Sequence, residues 1–239
     1  MDPLAAEIIE AHGGLERWRQ LRSISAHLTQ AGALWEIKGR AGVLADTRVT
    51  VSLTEQWASH APFGDPSRRS EYTPGRVALV SSEGQELETL EGPRASFDGH
   101  TLETPWTDLQ LAYFAGLAMW TYLNVPYVLA LPGVRSAEIA PWMEEGSTWR
   151  RLQIRFPDHI TTHSSDQTLY VDATGLIRRH DYDVEIAGGT PGAHYLSGYR
   201  HRGGLAFATS RRIYPRQHDG TPQRDMLVVS IDLDHLELS

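Results

Sequence analysis

The stretch from Ile160 to Pro215, ITTHSSDQTLYVDATGLIRRHDYDVEIAGGTPGAHYLSGYRHRGGLAFATSRRIYP, decides the fold. Its β-branched and aromatic residues fall in short runs divided by Gly-containing turns, the pattern of consecutive antiparallel strands. After Ile177, the residues Arg179, Asp181, Asp183 and Glu185 alternate with Leu176, Arg178, His180, Tyr182, Val184 and Ile186. A strand sends alternate side chains to opposite faces. The charged set is expected in water and the other set against a core or cavity, with His180 and Tyr182 adjacent on that inner face. In the next strand His194, Leu196 and Gly198 share one face, and Tyr195, Ser197, Tyr199 and His201 the other. The strand after Gly204 sets Leu205, Phe207 and Ile213 against Ala206, Ala208, Ser210, Arg212 and Tyr214. Leu227, Val229, Ile231 and Leu233 give the last strand a hydrocarbon face.

Upstream, residues 108–123 read as a helix with Leu109, Tyr113, Leu117 and Trp120 along one side and Ala112, Ala115, Gly116 and Ala118 on the other. A helix apolar on most sides is buried. Thr107 or Asp108 can cap it, and Pro126 ends it. Residues 138–147 look like a polar surface crossing, so that a second strand set spans 149–238. Residues 23–92 form a first meander, with ISAHLTQAG, ALWEIKGR, DTRVTVSL, QWASHAPF, RVALVSSEG and LETLEG as strands and APFGDPSRRSEYTPG as a loop. Asp2 and Pro3 open an N-terminal helix that Gly13 and Gly14 stop, and a second short helix follows, so helices occupy 3–21. His12, in the last turn, is placed to bond the free carbonyls there. No repeat or linker divides the chain, and residues 1–239 read as one domain.

Composition narrows the function classes. The net charge is −8, and the 22 Lys and Arg residues are scattered, which argues against nucleic acid as a partner. With no Cys, disulfides, thiolate metal ligands and a Cys nucleophile are excluded. The acidic N-terminal stretch lacks the basic region of a secretory signal, and no window has the roughly 18 uninterrupted apolar residues of a membrane span, so a cytoplasmic location is expected. Absence of a P-loop, a dinucleotide fingerprint, a G-x-S-x-G elbow and a zincin helix removes the usual support for kinases, Rossmann dehydrogenases and α/β-hydrolases. No organic cofactor is expected.

The end of the first helix at HGG, the helix text YFAGLAMWTYLNVPYVL, and the strands TLYVDATGLIRRHDYDV and GLAFATSRRIYP together resemble the half-barrel superfamily of outer-membrane lipoprotein-sorting proteins and its bacterial relatives. Ala208 stands where that pattern has a proline. The resemblance implies an α+β fold: a strongly curved, incomplete antiparallel barrel wrapped around a few helices, with an apolar cavity. Carriers of that superfamily bind acyl chains in the cavity and are exported. It implies no catalytic residue.

Taken together, the expected ligand is a hydrophobic or aromatic small molecule enclosed between the sheet and the helix at 108–123. A histidine beside a tyrosine on an apolar face can move protons without a cofactor, in a lyase, isomerase, cyclase or hydrolase reaction. His180, Tyr182 and His194 are the candidate catalytic groups. Arg94, His100, Tyr113, Trp120, His163 and Arg212 are candidates for holding the ligand. Competing readings are a core histidine that is simply hydrogen-bonded, a non-catalytic carrier or sensor, and a metalloenzyme using His163, His180 and His194; no metal is assigned.

Overall fold

A computed structural model describes residues 1–239. Two antiparallel meanders make one continuous sheet of 13 strands. The first runs through β1 (Ser23–Ala31), β2 (Asp46–Ser52), β3 (Ala58–Ala61), β4 (Arg68–Thr73), β5 (Arg76–Ser81) and β6 (Glu86–Glu91). The second runs through β7 (Arg135–Glu144), β8 (Ser147–Arg155), β9 (Asp166–Val171), β10 (Ile177–Val184), β11 (Thr190–Arg202), β12 (Leu205–Pro215) and β13 (Val229–Leu238). They join where β1 pairs with β13, so β6 and β7 are the free edges. The β6 edge, ELETLE, is acidic and exposed, which disfavours pairing with another chain.

Four helices accompany the sheet: α1 (Pro3–Ala11), α2 (Leu15–Trp18), α3 (Ala33–Ile37) and α4 (Asp108–Asn124). Asp2 caps α1 by accepting from the Leu4 amide at 2.8 Å, and His12 Nδ1 bonds the Ile8 carbonyl at 2.8 Å, as its position suggested. Thr107 and Gln110 close a capping box on α4. Every residue of α4 from Gln110 to Asn124 is buried. It packs on β2 to β6 with one side and meets β10 and β12 through Tyr122 with the other, which requires a curved sheet wrapped around it. Gly116 permits this: a Cβ there would lie 2.3 Å from the Cβ of Tyr72 on β4.

Three expectations are corrected. ALWEI is the helix α3, because Leu34 and Trp35 are consecutive and both buried, which one helical turn allows and one strand face does not. Gly32, at φ 125°, turns the chain out of β1 beside the Val228 carbonyl. Residues 68–73 of the expected loop form β4, whose only buried side chains are Ser70 and Tyr72, too weak an alternation to read. Likewise the expected surface crossing is the end of β7, an edge strand with no buried face to pattern it.

A fourth correction concerns the charged face of β10. Arg179 and Asp181 are not in water but are 0% and 4% exposed, covered by the ends of β7 and by the loop carrying Gly220. Alternation also changes hand within β11. Gly198, at φ 65°, lets Tyr199 turn inward to donate to the Ile177 carbonyl at 2.6 Å and to meet His12, whereas Tyr195 stays outward.

Candidate functional site

Beneath α4, strands β10, β11 and β12 bring together a polar cluster inside an otherwise apolar core. His180 and Tyr182 do share the inner face, and β10 sets His180 directly across from His194. Tyr122 of α4 bonds Tyr182 hydroxyl to hydroxyl and reaches His163 Nε2 at 3.2 Å. Tyr182 Oη lies 3.5 Å from His194 Nδ1, and His194 Nε2 lies 3.5 Å from Arg211 Nη1. Arg211 is 3% exposed and also donates to the Tyr122 carbonyl at 3.0 Å. That carbonyl is free because the residue four positions on is Pro126, which has no N–H. A cation suits the negative end of α4.

Burial governs the protonation of this cluster. It lowers the His163 pKa to about 3, with Arg94 adding to the effect, and lowers that of His180 to about 3, with repulsion from His163 and Arg211. Desolvation, followed by Arg211, puts His194 well below its ordinary range. All three rings are therefore neutral at pH 7. Burial likewise pushes the Tyr122 phenol up to about 12 and Tyr182 well above its usual value. No group of three His, Asp or Glu side chains is arranged to hold a metal ion, and the guanidinium beside His194 opposes a second cation there.

An apolar pocket of about 60 Å³ adjoins the cluster between α4, α3, β10 and β13. Sixteen of its 19 lining residues are hydrophobic, and Tyr122, Tyr182 and His163 form part of its wall. The face of α4 turned to it carries Phe114, Ala115, Ala118, Met119 and Tyr122. Of the residues singled out from sequence, Tyr182 and His163 line this pocket; the others do not. His180 turns its Nε2 to Gln167 Oε1 at 2.6 Å, and His194 lies behind Tyr182. Tyr113 packs between Tyr72 and Phe97. Trp120 donates to the Glu55 carbonyl at 2.8 Å and lines a separate cleft with Trp18 and Tyr127. Arg94 donates to the Thr162 carbonyl at 3.2 Å, pairs with Glu185 and borders a polar cleft. His100 stacks edge-on against Phe97. Arg212 points outward and pairs with Asp232 at 2.8 Å, so its inward neighbour Arg211 is the arginine of the site. Odd-position alternation with Leu205, Phe207 and Ile213 held that signal.

Sequence reasoning also missed a second buried cluster, on the outer face. Arg179 donates to both oxygens of Asp181 (2.6 and 2.8 Å), to Glu144 at 2.8 Å and to the Gly220 carbonyl at 2.5 Å. Tyr170 donates to Asp181, Tyr195 to Glu144, and Trp142 packs beside the guanidinium. Glu144 is pushed up by burial, but hydrogen bonds from Tyr195 and Trp142 and the charge of Arg179 hold it below the usual carboxylate range. All five N–H donors of Arg179 are taken, so this cluster fastens the β7 end to the sheet and leaves nothing for a ligand.

No model of a known protein family matches the chain, and no curated protein sequence matches it. Solved structures do. A DUF1329 family protein from Desulfovibrio piger is similar at 12% identity and a TM-score of 0.57, over 100% of this chain and 94% of that one. The domain of a putative outer membrane lipoprotein-sorting protein from Vibrio parahaemolyticus is similar at 10% identity and a TM-score of 0.50, over 96% and 93%. At such identities the likeness shows the fold. The chain shares the open, curved antiparallel half-barrel fold of these two structures.

Proposed function

We propose that the half-barrel binds a hydrophobic or aromatic small molecule between α4 and the β10–β13 wall, as a non-catalytic carrier or sensor. The observation that carries this reading is the pocket itself, apolar on nearly every side and built against the central helix. The fold it shares with a lipoprotein-sorting domain supports an acyl-bearing ligand. At about 60 Å³ the pocket is under half the roughly 150 Å³ of an apolar cavity that accepts benzene, so a ligand must displace flexible lining such as Met119. Acid–base catalysis by His180 has less support: the ring is neutral, engaged by Gln167, and not in the pocket wall.

The test is fluorescence of the neutral apolar probe N-phenyl-1-naphthylamine. It should brighten with the protein at micromolar concentration. Ala118→Leu, which fills the pocket, should weaken binding about tenfold, the equivalent of the ~1–3 kcal/mol typical of overpacking. No enhancement, or an unchanged affinity in Ala118→Leu, would remove the proposed site.

A further inference from the structure

The polarity of the inner hydrogen-bond chain is fixed at one end, and it leads to an unmet requirement at the other. Arginine can only donate. If His194 Nε2 accepts from Arg211, its neutral ring carries the proton on Nδ1 and donates to Tyr182 Oη. Tyr182 then donates to Tyr122, and Tyr122 donates to His163 Nε2. His163, also neutral, is left with its proton on Nδ1. That atom is buried and has no acceptor anywhere in the protein.

The same pocket wall holds more donors in this condition. Trp35 Nε1 and Trp106 Nε1 are buried without an acceptor, and so is Gln30 Nε2. Their residues are 7%, 1% and 6% exposed. The rings that carry three of these donors are all neighbours of Phe114, which lies 6.3 Å from Trp35, 4.8 Å from Trp106 and 5.4 Å from His163, between centroids. Buried polar groups are normally paired, because each unpaired one forfeits its hydration. Charge is unbalanced in the same sense. Arg211 makes no ion pair with any Asp or Glu, its Nε is also unpartnered, and apart from the partial charge at the end of α4 it has only phenols and imidazoles around it. The unpartnered atoms are donors, and no carboxylate faces the buried guanidinium.

We infer that the pocket takes an anionic amphiphile, a hydrophobic molecule ending in a carboxylate, whose oxygens accept from His163 and the Trp35 and Trp106 indoles beside Phe114 while Arg211 supplies the balancing charge through the Tyr122–Tyr182 chain. This rests on the binding reading above and adds the head group to it. No covalent step is involved.

Isothermal titration calorimetry with octanoate and with 1-octanol, matched in chain length, separates the two levels. At pH 7.5 octanoate should bind at least about tenfold tighter, as expected for hydrogen bonds to a charged group. Tyr122→Phe, which keeps the ring and cuts the chain, and His163→Leu, which removes the terminal donor, should each lower the octanoate affinity about tenfold and change octanol binding much less, both side chains being part of the pocket wall. A structural role alone would weaken both ligands together. Circular dichroism checks that each variant is folded, and Tyr122→Phe carries the test if His163→Leu is not. Equal binding of octanoate and octanol overturns the head-group assignment while the apolar site stands. Binding of neither overturns both.

Discussion

Arg179 and Arg211 sit on strands two apart in the sheet order, one turned outward and the other inward, and both are buried. Arg179 has two carboxylates, a backbone carbonyl and a phenol on its donors. Arg211 has one carbonyl and one imidazole, no carboxylate, and a free Nε. A buried charge that is fully paired serves the fold, since losing a partner is costly and gaining one is impossible. One left short of acceptors retains an interaction for something the chain does not supply. The two faces of one sheet have thus been put to different uses, fastening outside and binding inside.

Acid should separate the two faces with the largest effect. The inner histidines are neutral when folded, with pKa values lowered from 6.5, so the unfolded chain binds more protons below that pH and stability falls as pH drops from about 6.5 toward the folded values near 3. For His163, His180 and His194 together the slope approaches roughly 4 kcal/mol per pH unit. The Glu144 contribution is lost only below its unfolded value near 4.5. His27, raised by its hydrogen bonds to Asp46 and Asp234, acts in the opposite sense, since its stabilisation is present below about 6.5 and lost as pH rises through its folded pKa. Urea unfolding at pH 7.5, 6.5 and 5.5 should show a steep loss over the last interval; a flat profile would mean the inner rings are not neutral and sequestered.

Next in size is Asp181→Ala, which takes from the buried Arg179 one of its two carboxylates and two hydrogen bonds and should cost up to about 3–5 kcal/mol in the same assay. Arg211→Met should cost less than about 2 kcal/mol, because it removes a buried charge along with one hydrogen bond at the end of α4. A larger loss for Arg211→Met than for Asp181→Ala would invert the comparison. Smallest is Tyr72→Phe. The Tyr72 hydroxyl is buried with no partner, so its removal should leave stability unchanged or raise it by up to about 1 kcal/mol, and a clear loss in Tm would reveal an acceptor for it.

The inner half of this account was legible in the sequence because period-2 alternation is a geometric constraint. It placed His180 and Tyr182 on the inner face and α4 in the core, and the resemblance of the helix and strand texts gave the half-barrel. The outer cluster was not legible for a related reason. A charged face normally means water, and nothing local to Arg179 or Asp181 announces that the ends of β7, 35 or more residues upstream, fold over them. Pocket membership failed in the same way. Tyr113 and Trp120 lie on one side of α4, but a helix buried all round has no pattern to say which side meets the ligand, and the pocket faces Phe114, Ala118 and Tyr122. Arg211 went unremarked beside Arg212 although it shares the odd-numbered face of Leu205, Phe207 and Ile213, because an arginine normally marks a solvated position and this one is buried.

A crystal structure of the protein grown with octanoate would locate both ends of the ligand. The alkyl chain is expected against Ala118 and Met119, with a carboxylate oxygen within hydrogen-bond distance of His163 Nδ1. An interior without octanoate at saturating concentration, or with His163 Nδ1 and the two indoles already satisfied by ordered water, would contradict that placement.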